Sequence, residues 1–305
     1  MTDKERIKNL NAPSGIVDCV LDTDAYNEVD DQYAIAYLLR SPDRVNVKAI
    51  YAAPFSNPKS NFNPEKGMEL SYNEIKRLLA LVKCYTPLYY GSNSFLRHES
   101  SPVISDAAKD LSERAMCYTK EKPLYVVAIG AITNVASAIL LNPQIVDRIV
   151  VVWLGGHARH FSDTKEFNMF QDIASARVVM GSGVPFVQLP CMGVVSEFRL
   201  SGAEIERWLL NKTPLSDYLG RYTIKEAESY AKGRPWTRII WDVCAISWLF
   251  DKKGSFLRSR IEKVYLPDYN GFYEDEPLPY SMRYVYSINR DELMADLIFR
   301  ITKED

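Results

Sequence analysis

No apolar run in this chain approaches the ~20 residues that a membrane helix needs, and the first fifteen residues are polar, with no apolar signal core. The expectation is a cytoplasmic protein that does not engage a membrane. Charge of one sign is also missing: 37 basic residues face 39 acidic ones, for a net charge of -2. So even a balance gives no field for holding a nucleic acid or an anionic lipid surface. Cysteines are few and scattered, at Cys19, Cys84, Cys117, Cys191 and Cys244, without CxxC spacing. They are expected to be reduced, mostly buried thiols, and neither a disulfide framework nor a cysteine metal site. Internal repeats, low-complexity segments and a recognisable linker are absent as well, so residues 1–305 are expected to form a single domain.

What remains is an ordinary globular composition, 47% hydrophobic and 25% charged over 305 residues, enough for a large core. Strand and helix patterns alternate. Gly15–Leu21, Asn46–Ala53, Leu124–Ile129, Ile149–Leu154 and Val184–Leu189 read as strands, with Pro87–Tyr90 as a short one. Helical spacing separates them, as in Glu65–Lys83 and in the stretch that Thr133 or Asn134 opens and Asn142-Pro143 ends. Near-continuous apolar strands belong to a sheet covered on both faces. Their alternation with helices makes that sheet open and mostly parallel, an α/β fold. The end of the chain differs. Ile261–Tyr269, Asn270-Gly271 and Phe272–Glu276 read as a small β-hairpin around a tight turn.

The chemistry concentrates behind the first strand. Asp22, Asp24, Glu28, Asp30 and Asp31 fall within ten residues, between an apolar strand and a helical pattern that begins near Tyr33. An isolated Asp-Asp pair most often decorates the positive end of a helix. Five spaced carboxylates on a pinned loop repel one another and call for a compensating cation. Oxygen-only ligands select a hard ion, Ca²⁺ or Mg²⁺. Other polar clusters also follow apolar strands: Ser56-Asn57, Gly130 to Asn134, and Gly155-Gly156-His157 through Glu166-Phe167-Asn168, with Trp241-Asp242 opening a late helix. Each alone is weak. In an open α/β sheet they would share the carboxyl edge, where ligands bind.

Taken together, Asp-Thr-Asp with Asp30-Asp31, Ile-Gly-Ala-Ile-Thr-Asn, Trp-Leu-Gly-Gly with Glu-Phe-Asn, and the late Trp-Asp resemble the nucleoside hydrolases, over nearly the whole chain. That resemblance implies a calcium-dependent N-ribohydrolase that cleaves a ribonucleoside into free base and ribose. Asp24, Asp31, the carbonyl of Thr133 and Asp242 would hold Ca²⁺, which would also chelate the ribose 2′- and 3′-hydroxyls and bind the attacking water. Asp24 would be the general base, with Asp22 able to take that role. Asp30, Asn57, Glu166 and Asn168 would grip the ribose, and Asn27 is a further candidate for the sugar. The resemblance also implies a homo-oligomer, a dimer or tetramer. A second reading keeps the nucleoside pocket without turnover.

Two features set this chain apart from the family pattern. Five residues, Ala25 to Val29, separate Asp24 from the Asp-Asp pair, where the family commonly has three and a Pro-Gly. Trp241 stands where many members place a His before the late Asp as the leaving-group acid. The purine-specific branch uses Trp there, stacking on the base. Trp241 is therefore expected to assist departure of a purine, with Trp236 as a second aromatic wall. His157 is expected in the substrate site and, with His160, remains a possible acid.

Overall fold

A computed structural model describes residues 2–251 and 253–303. Its strands, in chain order, are β1 (Val17–Thr23), β2 (Val45–Ala52), β3 (Leu88–Tyr89), β4 (Leu124–Ala128), β5 (Ile149–Leu154), β6 (Phe186–Leu189), β7 (Arg199–Ser201), β8 (Thr237–Ile239), β9 (Leu257–Lys263) and β10 (Ser281–Ile288). Eight of them form one sheet in the order β3-β2-β1-β4-β5-β6-β10-β9, and β7 and β8 form a separate two-stranded ribbon. Every pairing in the large sheet is parallel except that of β10 with β9. The expected open, mostly parallel α/β architecture is what the chain adopts.

Side-chain alternation along the central strands divides the core in two. Cys19 and Leu21 of β1, Tyr125 and Val127 of β4, and Val150, Val152 and Leu154 of β5 join one apolar cluster. It is covered by the helices Asp30–Leu39, Val243–Trp248 and Arg290–Thr302. Val20, Leu124, Val126, Ala128, Ile149, Val151 and Trp153 point the other way. There they meet the helices Asp106–Arg114, Thr133–Leu141 and Ile173–Gly181. Burial on both faces is why these strands lack the apolar–polar alternation of a half-exposed sheet.

The strand order reverses between β1 and β4, so the loops leaving their carboxyl ends diverge and open a crevice. The acidic loop follows β1, and Ile129-Gly130 follows β4; the Ile129 amide donates to the Asp22 carbonyl at 2.9 Å. Topology therefore places the acidic loop beside the loop that leaves β4.

The antiparallel hairpin at the C-terminal end is formed by β9 and β10. The Asn270-Gly271 turn lies within the segment joining them, where Gly271 has φ +84° and an isolated Pro267–Tyr273 bridge closes the turn. The expected hairpin of Ile261–Tyr269 with Phe272–Glu276 does not form beyond that bridge, because Leu257–Lys263 and Ser281–Ile288 have more residues to pair with each other. Three elements were not expected from the sequence: the helix Asp3–Asn9, the short helix Phe167–Gln171 and the β7–β8 ribbon. Cys19 and Cys244 are buried, Cys84 and Cys191 half-buried, and Cys117 exposed, and all five are free. No helix among the described residues is long and apolar enough to cross a membrane.

Candidate functional site

A cleft of about 630 Å³ lies over the crevice at the carboxyl edge. Its floor is acidic. Asp30, Asp31 and Asp242 are buried, and one ligand oxygen from each lies within 4.8 Å of the others. Asp24 lines the same cleft, pressed so closely on Gly130 that a Cβ there would stand 2.9 Å from its Oδ1. Val29, not an Asp, occupies the N-cap of the helix Asp30–Leu39, and it makes no side-chain capping bond. The aspartates that follow are first-turn residues turned inward. Thr23 fixes one of them, its hydroxyl donating to Asp31 Oδ1 at 2.5 Å.

Burial pushes all four carboxyls upward, because the low-dielectric interior penalises the charged form. Asp24, Asp31 and Asp242 go well above the usual carboxylate range, first by burial and then by neighbouring charge, from Asp31 and Asp30 on Asp24, from Asp30 on Asp31, and from Asp30 and Asp31 on Asp242. Asp30 rises to about 7, from burial and then from Glu28. Asp24 Oδ2 and Asp30 Oδ1 are buried without a hydrogen-bond partner. Orphaned, crowded carboxylate oxygens are a donor set that fits a hard divalent cation.

The sign of these shifts has a consequence for stability. Folded carboxyls with raised pKa values hold more protons than the same groups in the unfolded chain. Cation-free protein therefore loses stability as pH rises from the unfolded value near 4 through the folded value, which is about 7 for Asp30. In chelator, the melting temperature is expected to fall between pH 5 and 8. Millimolar Ca²⁺ should remove most of that fall, because cation binding displaces the protons. Equal melting curves with and without Ca²⁺ at pH 8 would contradict a cation site here.

Asp22 is differently placed. Its Oδ1 accepts from Asn134 Nδ2 at 2.7 Å, and it does not line the cleft. Asn134 in turn accepts from the Ser92 amide and hydroxyl, so Asp22 and Asn134 tie β1 to neighbouring loops. Of the two, Asp24 is the one that lines the cleft. Thr133 is fully buried and also outside the residues lining the cleft; its hydroxyl donates to Asp172 at 2.6 Å.

Glu166, Asn168, Asn27, Asn57 and His157 also line the cleft. Glu166 caps the helix Phe167–Gln171, accepting from the amides of Gly156, Asn168 and Met169 at 2.8 to 3.0 Å. Asn168 Nδ2 donates to the carbonyls of Ile129 and Leu154, both at 3.1 Å. That commits its nitrogen and leaves its oxygen as the acceptor for the cleft. Asn57 Nδ2 donates to Asn27 Oδ1 at 2.8 Å, holding the lengthened loop against the loop after β2. His157 lines the cleft, and partial burial lowers its pKa. Its Nδ1 accepts from the Met192 amide at 3.4 Å, which puts the neutral ring's proton on Nε2.

Two aromatic expectations separate. Trp241 lines the cleft. Trp236 does not: its ring packs over Gly202, where a Cβ would lie 3.0 Å away, and against the core. A helix-start glycine leaves room for the indole there, away from the ligand. His160 lines a different groove, with Arg260 and Tyr286. Sequence reasoning missed Phe167, Tyr230 and Arg238, which also line the cleft. Phe167 was legible inside the Glu-Phe-Asn motif. Arg238 was not, because only the β7–β8 ribbon brings it there.

A family model described as inosine-uridine preferring nucleoside hydrolase matches residues 19–267. The pyrimidine-specific ribonucleoside hydrolase RihA of Salmonella typhimurium is 26% identical over 252 residues, covering 72% of this chain and 76% of that protein. Among solved structures, the purine-preferring ribonucleoside hydrolase from Gardnerella vaginalis superposes with a TM-score of 0.73 at 19% identity, covering 93% of this chain and 98% of that one. An inosine-guanosine nucleoside hydrolase gives 0.74 at 17% identity, with the same coverage.

Proposed function

The chain belongs to the inosine-uridine preferring nucleoside hydrolase family, and from that premise we propose that it is a Ca²⁺-dependent ribohydrolase preferring purine nucleosides. N-ribohydrolase activity follows from the family. The cation and the purine preference are the finer reading, and the observation that carries the preference is Trp241 beside Asp242 in the cleft.

Asp24, Asp31 and Asp242 would hold the cation, with Asp30 at the same cluster and the Thr133 carbonyl as the neutral ligand the resemblance implies. When bound, Ca²⁺ supplies charge neutralisation, a lowered pKa for a water molecule and anchorage for vicinal hydroxyls. The remaining work belongs to the chain. Asp24 accepts a proton from the attacking water, an effect worth roughly 10²–10⁴-fold. Asn168, through its free oxygen, and Asn27, which Asn57 holds in place, orient the ribose. Glu166, held by three backbone amides, would keep its carboxyl oxygens fixed beside a ring that turns oxocarbenium-like as the bond breaks. Trp241 offers its indole face to the departing base. Large π-surfaces stack best on purines, worth about 1–3 kcal/mol per base.

Incubation with inosine, adenosine, guanosine and uridine in Ca²⁺, followed by chromatography of free base, tests this directly. Purine release is expected to exceed pyrimidine release. Trp241→Ala should lower inosine turnover roughly ten- to hundredfold, and turnover of a 4-nitrophenyl riboside much less, since nitrophenolate leaves with little help. Faster release of uracil than of hypoxanthine, or equal losses on the two substrate types, would overturn the purine reading.

A further inference from the structure

Replacing the usual His by Trp241 leaves a gap in the chemistry: a stacking face donates no hydrogen bond to a base leaving with its bonding electrons. Arg238 stands three residues earlier, on β8, and lines the same cleft. Its neighbours explain why it is there. Nη2 donates to Glu28 Oε2 at 2.8 Å, and Glu28 belongs to the lengthened loop between Asp24 and Asp30. The ion pair therefore ties that loop to the β7–β8 ribbon that also delivers Trp241. It does not saturate the guanidinium. Of the five N–H groups an arginine carries, one on Nη2 bonds Glu28 among the described residues, and Nε is buried with no partner. The side chain keeps 19% of its exposure and its charge is balanced by Glu28, so the feature that points to a ligand is the buried, unpartnered Nε–H.

We propose that Arg238 is the catalytic residue that stabilises the leaving nucleobase, in place of a general acid. This rests on the hydrolase reading above. In the step, the C1′–N bond breaks and its electron pair goes onto the base. The water oxygen bonds C1′, and the proton it sheds goes to Asp24. Negative charge spreads over the ring nitrogens and carbonyl oxygen of the base, where the guanidinium donates to it. The base takes its proton from solvent after departure. The ligand class that suits this residue is a base with acceptors on its exposed edge, as in 6-oxopurines.

The test compares kcat/KM for inosine and for a 4-nitrophenyl riboside in the Ca²⁺-loaded protein. Arg238→Gln is expected to lose roughly ten- to hundredfold on inosine and less than about threefold on the nitrophenyl substrate, with Arg238→Lys recovering part of the inosine loss by restoring charge. Glu28→Gln weakens the loop tie to a neutral hydrogen bond but keeps the guanidinium, and it should shift both substrates alike. Equal losses of Arg238→Gln on both substrates, or an inosine-selective loss in Glu28→Gln, would overturn the proposal and leave Arg238 a loop anchor. If Arg238→Gln does not fold, Arg238→Lys is read by the same ratio: a loss confined to inosine supports the proposal, and an equal loss defeats it. A parent protein that cleaves neither substrate would defeat the hydrolase reading itself.

Discussion

Asp242→Asn is expected to abolish turnover while leaving the cation-free protein at least as stable as the parent. The two effects have one cause. Asp242 sits against Asp30 and Asp31 with oxygens within 4.8 Å, and burial followed by the charges of Asp30, Asp31 and Asp24 drives its pKa up. Removing one negative charge from this cluster relieves repulsion in the empty site at pH 7 and above. The same change removes a ligand oxygen and a charge from the cation's cradle, so a rate loss of roughly a thousandfold or more is expected. Melting curves in chelator and in Ca²⁺ check both halves. The variant should match or exceed the parent in chelator and gain little from Ca²⁺. A variant that keeps parental turnover after chelator treatment would remove Asp242 from the site.

Asp24→Asn should lose a comparable share of activity by a different route. Asp24 lines the cleft but stands outside the tight cluster of Asp30, Asp31 and Asp242. An amide in its place has no capacity to take a proton from water, and a loss of roughly 10²–10⁴-fold in kcat is expected. Because the three clustered carboxylates stay, the variant should retain part of its Ca²⁺-induced gain in melting temperature. Asp22→Asn is the internal control. It weakens the Asn134 contact at 2.7 Å and should reduce stability more than chemistry. If Asp24→Asn turns over at the parental rate while Asp22→Asn does not, the base has been assigned to the wrong residue.

The parts of this site that were legible from the chain alone are those set by local pattern. Apolar strands followed by Asp, Asn and Glu placed Asp24, Asp31, Asn57, Glu166 and Asn168 at one edge, because strand ends in a parallel sheet share a direction. The resemblance then connected Asp242 to them. Where reasoning from the chain went astray, the deciding contact was remote. Trp236 and Trp241 are five residues apart and equally aromatic. One is drawn over Gly202 and the other left facing the cleft, and nothing in their immediate neighbours distinguishes them. Asp22 and Asp24 point into different surroundings because the first lies within a buried strand and the second begins a loop.

By itself, then, the order of residues determined the α/β alternation, the covered sheet and the pooling of acids behind the first strand, since hydrophobic period and strand polarity act over a few residues. Tertiary structure alone decided that Asp30 joins Asp31 and Asp242 in the cluster, that His160 turns to another groove, and that Arg238 reaches Glu28 across 210 positions of chain. Those contacts depend on how separate elements pack, and packing answers to the whole core, not to any one stretch of it.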